Sequence, residues 1–396
     1  MVEAVEERRK EPPTQWAALA GVTATVSVFA IAQGLSYPLF TFLMQGQGYS
    51  PTMIGLSAAM TPLGIIVSAP LVPVVTRLYG ARRLAIFCAL MAAVLFFFVG
   101  WLQNPFAWFA LRFLIGVAID PLYVLSEVWM LSLAPPGRRG RVMGVYTAIV
   151  GAGFAAGPLS LTLVGTQGWA PFMVGIAAFL VCGLCLLAVA SRLPTMMDGH
   201  EGASLRGFAR LAPTLLLAVA VTAAFEQSML ALLPVYGADG FGIAERPMAA
   251  LLTVLIAGNI VLQIPLGLLA ERVSPRLLML ACTGFSLAGA LALPWLFDTI
   301  FIWPLVFVLG ATAYGIYTTV LIELGNRFSG GALVAGNAAF ALMWGAGGIV
   351  GPPGAGFAMQ AFGVDGLPLS LAGMCLALIV FALLRERSRG RARGGG

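Results

Sequence analysis

RRLAIFCALMAAVLFFFVGWLQNPFAWFALRFLIGVAIDPLYVLSEVWMLSLAPPGRRGR, residues 82 to 141, decides how this chain folds. Arg82 and Arg83 open it, and Arg138, Arg139 and Arg141 close it. Between them run two apolar stretches, 82–102 and 106–132, parted by Gln103-Asn104-Pro105. A helix of roughly 20 apolar residues crosses about 30 Å of hydrocarbon, so the segment crosses a membrane twice and returns to the side it left. The same unit repeats along the chain. Arg8, Arg9 and Lys10, then Arg77, Arg82 and Arg83, then Arg138, Arg139 and Arg141, then Arg192, Arg206 and Arg210, then Arg272 and Arg276, then Arg327, then Arg385 to Arg393 contain 20 of the 22 basic residues. Only Arg112 and Arg246 fall outside these clusters. With two crossings between successive clusters all of them share one side, and the positive-inside bias makes that side cytoplasmic.

Apolar residues make up 60% of the chain and charged ones 10%, which excludes a soluble globular domain. The net charge of +6 is a consequence of topology and does not point to nucleic acid. Twelve stretches have the length and composition of a crossing: 16–43, 52–76, 82–102, 106–132, 140–165, 169–191, 211–236, 247–271, 276–296, 300–326, 332–360 and 366–385. This predicts an all-α polytopic membrane protein with both termini in the cytoplasm. The acid- and base-rich start and the long first span argue against a removable signal peptide.

The polar stretch from Arg192 to Arg210 lies at the midpoint and reads as a cytoplasmic linker, 192–210, between two six-helix halves, 1–191 and 211–396. The halves repeat. Pro70-Leu71 before Arg77 matches Pro265-Leu266 before Arg272 at an offset of 195, and Gly157-Pro158 matches Gly351-Pro352 at 194. Tyr123 and Tyr317 (194) and Pro38 and Pro234 (196) keep the register. A repeat of six spans per half is the layout of transporters that rock two bundles about a midplane site.

Several motifs resemble those of the major facilitator superfamily across nearly the whole chain. Gly267-Leu-Leu-Ala-Glu271-Arg272-Val-Ser-Pro-Arg276 is similar to that family's loop signature of glycine, acid, arginine and a further base. The first-half copy keeps Arg77, Gly80, Arg82 and Arg83, with Thr76 where an acid is usual. Arg112-Phe-Leu-Ile-Gly116 resembles the fourth-helix arginine motif, and Gly144, Gly153 and Gly157-Pro158 resemble the glycine-rich motif of helix 5, without its closing glycines. The resemblance implies two pseudo-symmetric six-helix bundles, a cavity lined by helices 1, 4, 7 and 10, and a monomer in the bacterial cytoplasmic (inner) membrane. It also implies a small-molecule substrate and coupling to protons. The stretch from Arg112 to Tyr146 looks like the bacterial subgroup of riboflavin and copper importers. Met229, Leu233, Asn259 and Gln263 stand where the copper importers carry methionine and histidine, so soft metal ligands are missing and an organic, riboflavin-like nutrient is expected, with no metal and no cofactor. A proton-antiport exporter of drugs or metabolites is the alternative, because the helix-5 motif is commonest among exporters.

A charge at the bilayer centre costs about 2.5 to 3.5 kcal/mol on insertion scales, so each marks a functional hypothesis. On the fourth span, at 100° per residue, Gly116, Asp120, Tyr123 and Glu127 all fall within about 80° of Arg112, a stripe expected to face a wet cavity. Arg112 suits an anionic solute or the control of a nearby carboxylate, with a structural ion pair to Asp120 or Glu226 as the alternative. Asp120, near mid-depth, is a proton-coupling candidate, and so is Glu226, beside Gln227 on the seventh span. Gln33 and Tyr37 on the first span, Tyr314 and Tyr317 on the tenth, and Asn337 and Trp344 on the eleventh offer an aromatic and amide lining for a flat, polar-edged ring. Asn259 and Gln263 share a face suited to interhelical hydrogen bonds, and Glu323 and Arg327, one turn apart, suit an ion pair. The gating set is Arg77, Arg82, Arg83, Glu127 and Arg141 in the first half and Glu271, Arg272 and Arg276 in the second. No membrane histidine or catalytically spaced acid pair supports an enzyme, and no phosphate loop supports ATP as the energy source.

Overall fold

The computed structural model describes residues 16–134, 139–193, 211–328 and 330–394. The expected linker beyond residue 193 and the N-terminal basic cluster lie outside the described residues, as do the side chains of Arg141 and Glu271. Thirteen α-helices follow one another: α1 (Trp16–Gly46), α2 (Pro51–Ser68), α3 (Val72–Tyr79), α4 (Ala81–Trp101), α5 (Pro105–Leu133), α6 (Arg139–Val164), α7 (Ala170–Val189), α8 (Pro213–Phe241), α9 (Glu245–Arg272), α10 (Pro275–Leu296), α11 (Ile302–Arg327), α12 (Gly330–Phe362) and α13 (Gly366–Gly394). Eleven are long and apolar enough to cross a membrane. The remaining long helix, α12, is packed between α2 and α8.

The expected continuous span 52–76 is broken. α2 stops at Ser68 and α3 starts at Val72, because Pro70 has no N–H for the helix ladder and Pro73 suits the first turn of a new helix. Hydrogen-bonding residues cap the starts elsewhere: Ser50, Asn104 and Ser274 each accept from a first-turn backbone N–H, and Pro51, Pro105 and Pro275 follow them.

The helices form two pseudo-symmetric six-helix bundles. α1 packs on α6 as α8 packs on α12, α2 on α5 as α9 on α11, and α4 on α7 as α10 on α13. Across the bundles, α2 meets α12 and α9 meets α6. Glycines set these contacts. A Cβ built on Gly64 would lie 2.2 Å from the Phe113 carbonyl oxygen, and one on Gly116 2.2 Å from that of Thr61. In the other half Gly258 faces Phe307 O at 1.9 Å and Gly310 faces Leu255 O at 1.8 Å. Gly153 and Gly157 against α1 match Gly347 and Gly351 against α8. All four glycine matches are 194 residues apart. Without a hydrophobic drive between helices in lipid, close backbone approach of this kind is what holds them.

Two faces result. The basic face carries Arg77, Arg83 and Arg272, all exposed; the far face carries the turns 46–51, 102–105, 164–170, 241–245, 296–302 and 362–366. Arg82 donates to Leu193 O, tying the start of α4 to the end of the first half. Arg276 does the same in the second half, donating to Ala382 O at 3.0 Å and pairing with Glu386 at 3.3 Å. These two members of the expected gating set thus make their contacts inside each half.

Candidate functional site

Gln33 and Tyr37 on α1 meet Glu226 and Gln227 on α8 between the bundles. The Tyr37 phenol is the centre of the group: the Gln33 and Gln227 side chains reach it, and the charges of Arg112 and Glu226 act on it. Thr41, one turn along α1, donates to Ala231 O of α8 at 2.8 Å and fixes the register of the two helices. Gln33 Oε1, Gln227 Oε1 and Glu226 Oε2 are buried without a hydrogen-bond partner. Glu226 also lines a small pocket with Met229, Leu255, Asn259 and Tyr314.

Arg112 is 2% exposed, with its guanidinium 4.6 Å from the centroid of the Phe40 ring and its Nη1 donating to Ser57 Oγ at 3.5 Å. Neither Asp120 nor Glu226 forms an ion pair with it; the described ion pairs are Arg276–Glu386 and Arg327–Glu323. A charge held in this way loses bulk water and keeps only a ring face, a weak hydroxyl contact and an unpartnered Nε.

The stripe on α5 divides. Arg112, Gly116 and Asp120 face α2: Asp120 Oδ2 accepts from Ser68 Oγ at 2.8 Å, at the last residue of that helix. Tyr123 packs edge-on against Phe29 at 4.6 Å, and Glu127, one turn beyond, is exposed. Asn337 is likewise exposed, two turns nearer the basic face than Trp344 on α12. Tyr314, Tyr317 and Trp344 form one aromatic wall, with centroids 5.0 to 5.9 Å apart. The Glu127 charge acts on Tyr123 and Tyr146 from its own half and on Tyr314 and Tyr317 from the other. Glu127 pairs with none of Arg77, Arg82 and Arg83. Gln263 accepts from Thr318 and donates to Asn259 at 3.4 Å, so this pair serves contact between α9 and α11. Arg327 pairs with Glu323 at 3.4 Å, as their spacing predicts.

Sequence reasoning missed the far-face contacts between the halves. Gln45 donates to Asp239 Oδ1 at 2.8 Å, Thr52 to Gln360 Oε1 at 2.6 Å, and Thr166 to Glu245 Oε2. One of them carried a signal: Gln45 and Asp239 are 194 residues apart, in the register of the glycines. The halves are hydrogen-bonded to each other at the far face, and Glu127 and Asn337 are exposed nearer the basic face.

The chain is 28% identical over 370 residues to YfkF, an MFS-type transporter of Bacillus subtilis (strain 168), covering 90% of this chain and 93% of that protein. Among solved structures it is similar to the nucleoside transporter NupG, with a TM-score of 0.76, 12% identity, and 93% of this chain and 98% of that one covered. It is also similar to a bacterial homologue of the human lysosomal transporter Spinster in an inward-facing, unoccupied conformation, with a TM-score of 0.73, 15% identity, and 94% and 96% covered. Residues 22–333 match the family description "Major Facilitator Superfamily". With that match and a fold of membrane-crossing helices around a polar midplane group, the chain is a multi-pass membrane transporter of a small molecule and belongs to the major facilitator superfamily.

Proposed function

We propose that this chain is a proton-coupled secondary transporter that moves a flat organic solute across a bacterial cytoplasmic membrane by alternating access, as a monomer with its basic face in the cytoplasm. The observation that carries the reading is the pair of ionisable groups, Arg112 and Glu226, whose charges act on Tyr37 and which have no ion partner among the described residues. A buried charge without a partner is costly, and a bound solute or a proton relieves that cost. Glu226 is the proton-coupling group on this reading. Asp120, turned to Ser68 on α2, supports the first half and leaves the solute to α1, α8 and α11. The aromatic wall of Tyr314, Tyr317 and Trp344 suits a planar ring; riboflavin, the solute of the importers that the sequence resembles, is one such molecule. Residues 1–191 and 211–396 rock about the midplane, with Arg77, Arg83, Glu127, Arg141, Glu271 and Arg272 meeting when the basic face closes.

The test is flux of radiolabelled riboflavin and uridine in proteoliposomes with an imposed proton gradient. Gradient-driven movement that a protonophore abolishes, and that Glu226→Gln and Arg112→Ala both lack, is the expected result. Flux indifferent to the protonophore, or kept by both variants, overturns the proposal.

A further inference from the structure

The midplane group holds three acceptor oxygens without donors. Gln33 Oε1, Gln227 Oε1 and Glu226 Oε2 are buried and unpartnered, and all three side chains converge on Tyr37. A buried acceptor without a donor costs about 1 to 3 kcal/mol, and more for a carboxylate. Tyr37 has one O–H to give, so such oxygens are open to the N–H or O–H groups of a solute or of water. Among the described residues the buried cation is Arg112, and it is held elsewhere. Arg112 is sealed at 2% exposure with its guanidinium on the Phe40 ring and its Nη1 directed to Ser57 on α2. Glu226 therefore faces its pocket without a counter-ion, and Glu127, on the way to the basic face, has no ion-pair partner among the described residues. Glu226 lines its pocket together with Tyr314, which stands next to Tyr317 and Trp344, and the Glu127 charge also acts on that ring. Aromatic faces beside carboxylates stabilise a positive charge by ring quadrupole as well as by Coulomb attraction, and most strongly where water is excluded.

We infer that the solute is an organic cation with N–H donors on a planar apolar body, a protonated amine or amidine, with Glu226 as its counter-ion, Gln33 and Gln227 as its acceptors and the rings of α11 and α12 as its face. This rests on the transport reading above and narrows it. Riboflavin fits the rings and lacks the positive charge, so the two classes separate experimentally.

The experiment measures equilibrium binding to the full-length protein in nanodiscs of three probes: a planar diamidine (4′,6-diamidino-2-phenylindole), tetraphenylphosphonium, which is a cation without N–H groups, and riboflavin. The diamidine is expected to bind tightest. Glu226→Gln, which keeps the shape and removes the charge, weakens it at least about tenfold, the range of a lost hydrogen bond to a charged group. Gln227→Glu adds a charge at the same place and tightens the diamidine, so the inference stays falsifiable even where Glu226→Gln fails to fold. Riboflavin binding at least as tight as the diamidine overturns the inference, as does diamidine binding that neither variant alters. Phosphonium binding as tight as the diamidine overturns the role of the N–H donors. Proton-driven riboflavin flux in proteoliposomes without diamidine binding refutes the cation and leaves the transport reading standing.

Discussion

Gly310→Ala separates packing from function in this fold. The added methyl would lie 1.8 Å from Leu255 O, whereas ordinary contact begins near 3.4 Å, so α9 and α11 must part by about 1.6 Å. The obstacle is helix backbone, which cannot turn aside as the end of a side chain can. Overpacking of this kind costs about 1 to 3 kcal/mol, and the clash with backbone puts Gly310 at the upper end. Alanine returns up to about 1 kcal/mol through its better helix propensity. The net is about 2 kcal/mol of destabilisation, or roughly 4 to 8 °C at the 2 to 4 °C per kcal/mol of a unit the size of one bundle. Gly258→Ala, 1.9 Å from Phe307 O, strains the same helix pair, so the double variant loses less than the sum of the two. The assay is thermal unfolding of the detergent-solubilised protein followed by tryptophan fluorescence. Gly373→Ala is the control: nothing lies within 4 Å of its methyl, and it is expected to melt at or slightly above the parent. The packing argument fails if Gly310→Ala melts with Gly373→Ala, or if the double variant shows the full sum.

Replacing Gln45 and Asp239 with cysteines places two thiols where a 2.8 Å hydrogen bond joins the halves; oxidation is expected to stop flux and reductant to restore it. A disulfide that forms while flux continues shows that the far face need not open. Arg112→Lys keeps the charge and loses the planar stack on Phe40, so flux falls by roughly tenfold and Arg112→Ala falls further; equal flux for arginine and lysine refutes the ring-face assignment. Arg82→Ala releases the end of the first half from α4 and is expected to lower the melting temperature by more than Glu386→Ala does. Glu386 belongs to a pair with side chains 36% and 58% exposed and contributes no more than about 1 kcal/mol; equal shifts would mean that the Arg82 tie is no stronger than a surface pair.

The crossings were legible because lipid imposes composition: a charge-poor run between basic clusters has few alternatives. The break after Ser68 was not, although Pro70 was in view, since proline lies inside α1, α5 and α8 without ending them. The repeat register was legible at Gly157-Pro158 and Gly351-Pro352, and the same 194-residue step was present unread at Gly64 and Gly258, Gly116 and Gly310, and Gln45 and Asp239. The stripe on α5 shows why angle alone misplaces a site. Asp120 and Glu127 differ by about 20° on a helical wheel yet face different surroundings, because α2 ends at Ser68, beside Asp120. A wheel records direction from one axis and carries nothing about where the neighbouring helix stops. The ion pairs offered to Arg112 failed for the same reason: like types at like depth do not establish reach.

The three hydrogen bonds at the far face set an energy scale for the motion proposed here. Each lies at the edge of the protein, between helix ends, and contributes a net of about 0.5 to 1.5 kcal/mol. Together they bias the equilibrium by roughly 1.5 to 4.5 kcal/mol, about ten- to a thousandfold in population. A bias of that size leaves the opposite form present as a minor species at room temperature. A ligand that prefers that form by the same factor brings the two to parity, and an added proton or cation at Glu226 has to supply no more than this difference in affinity for the cycle to turn.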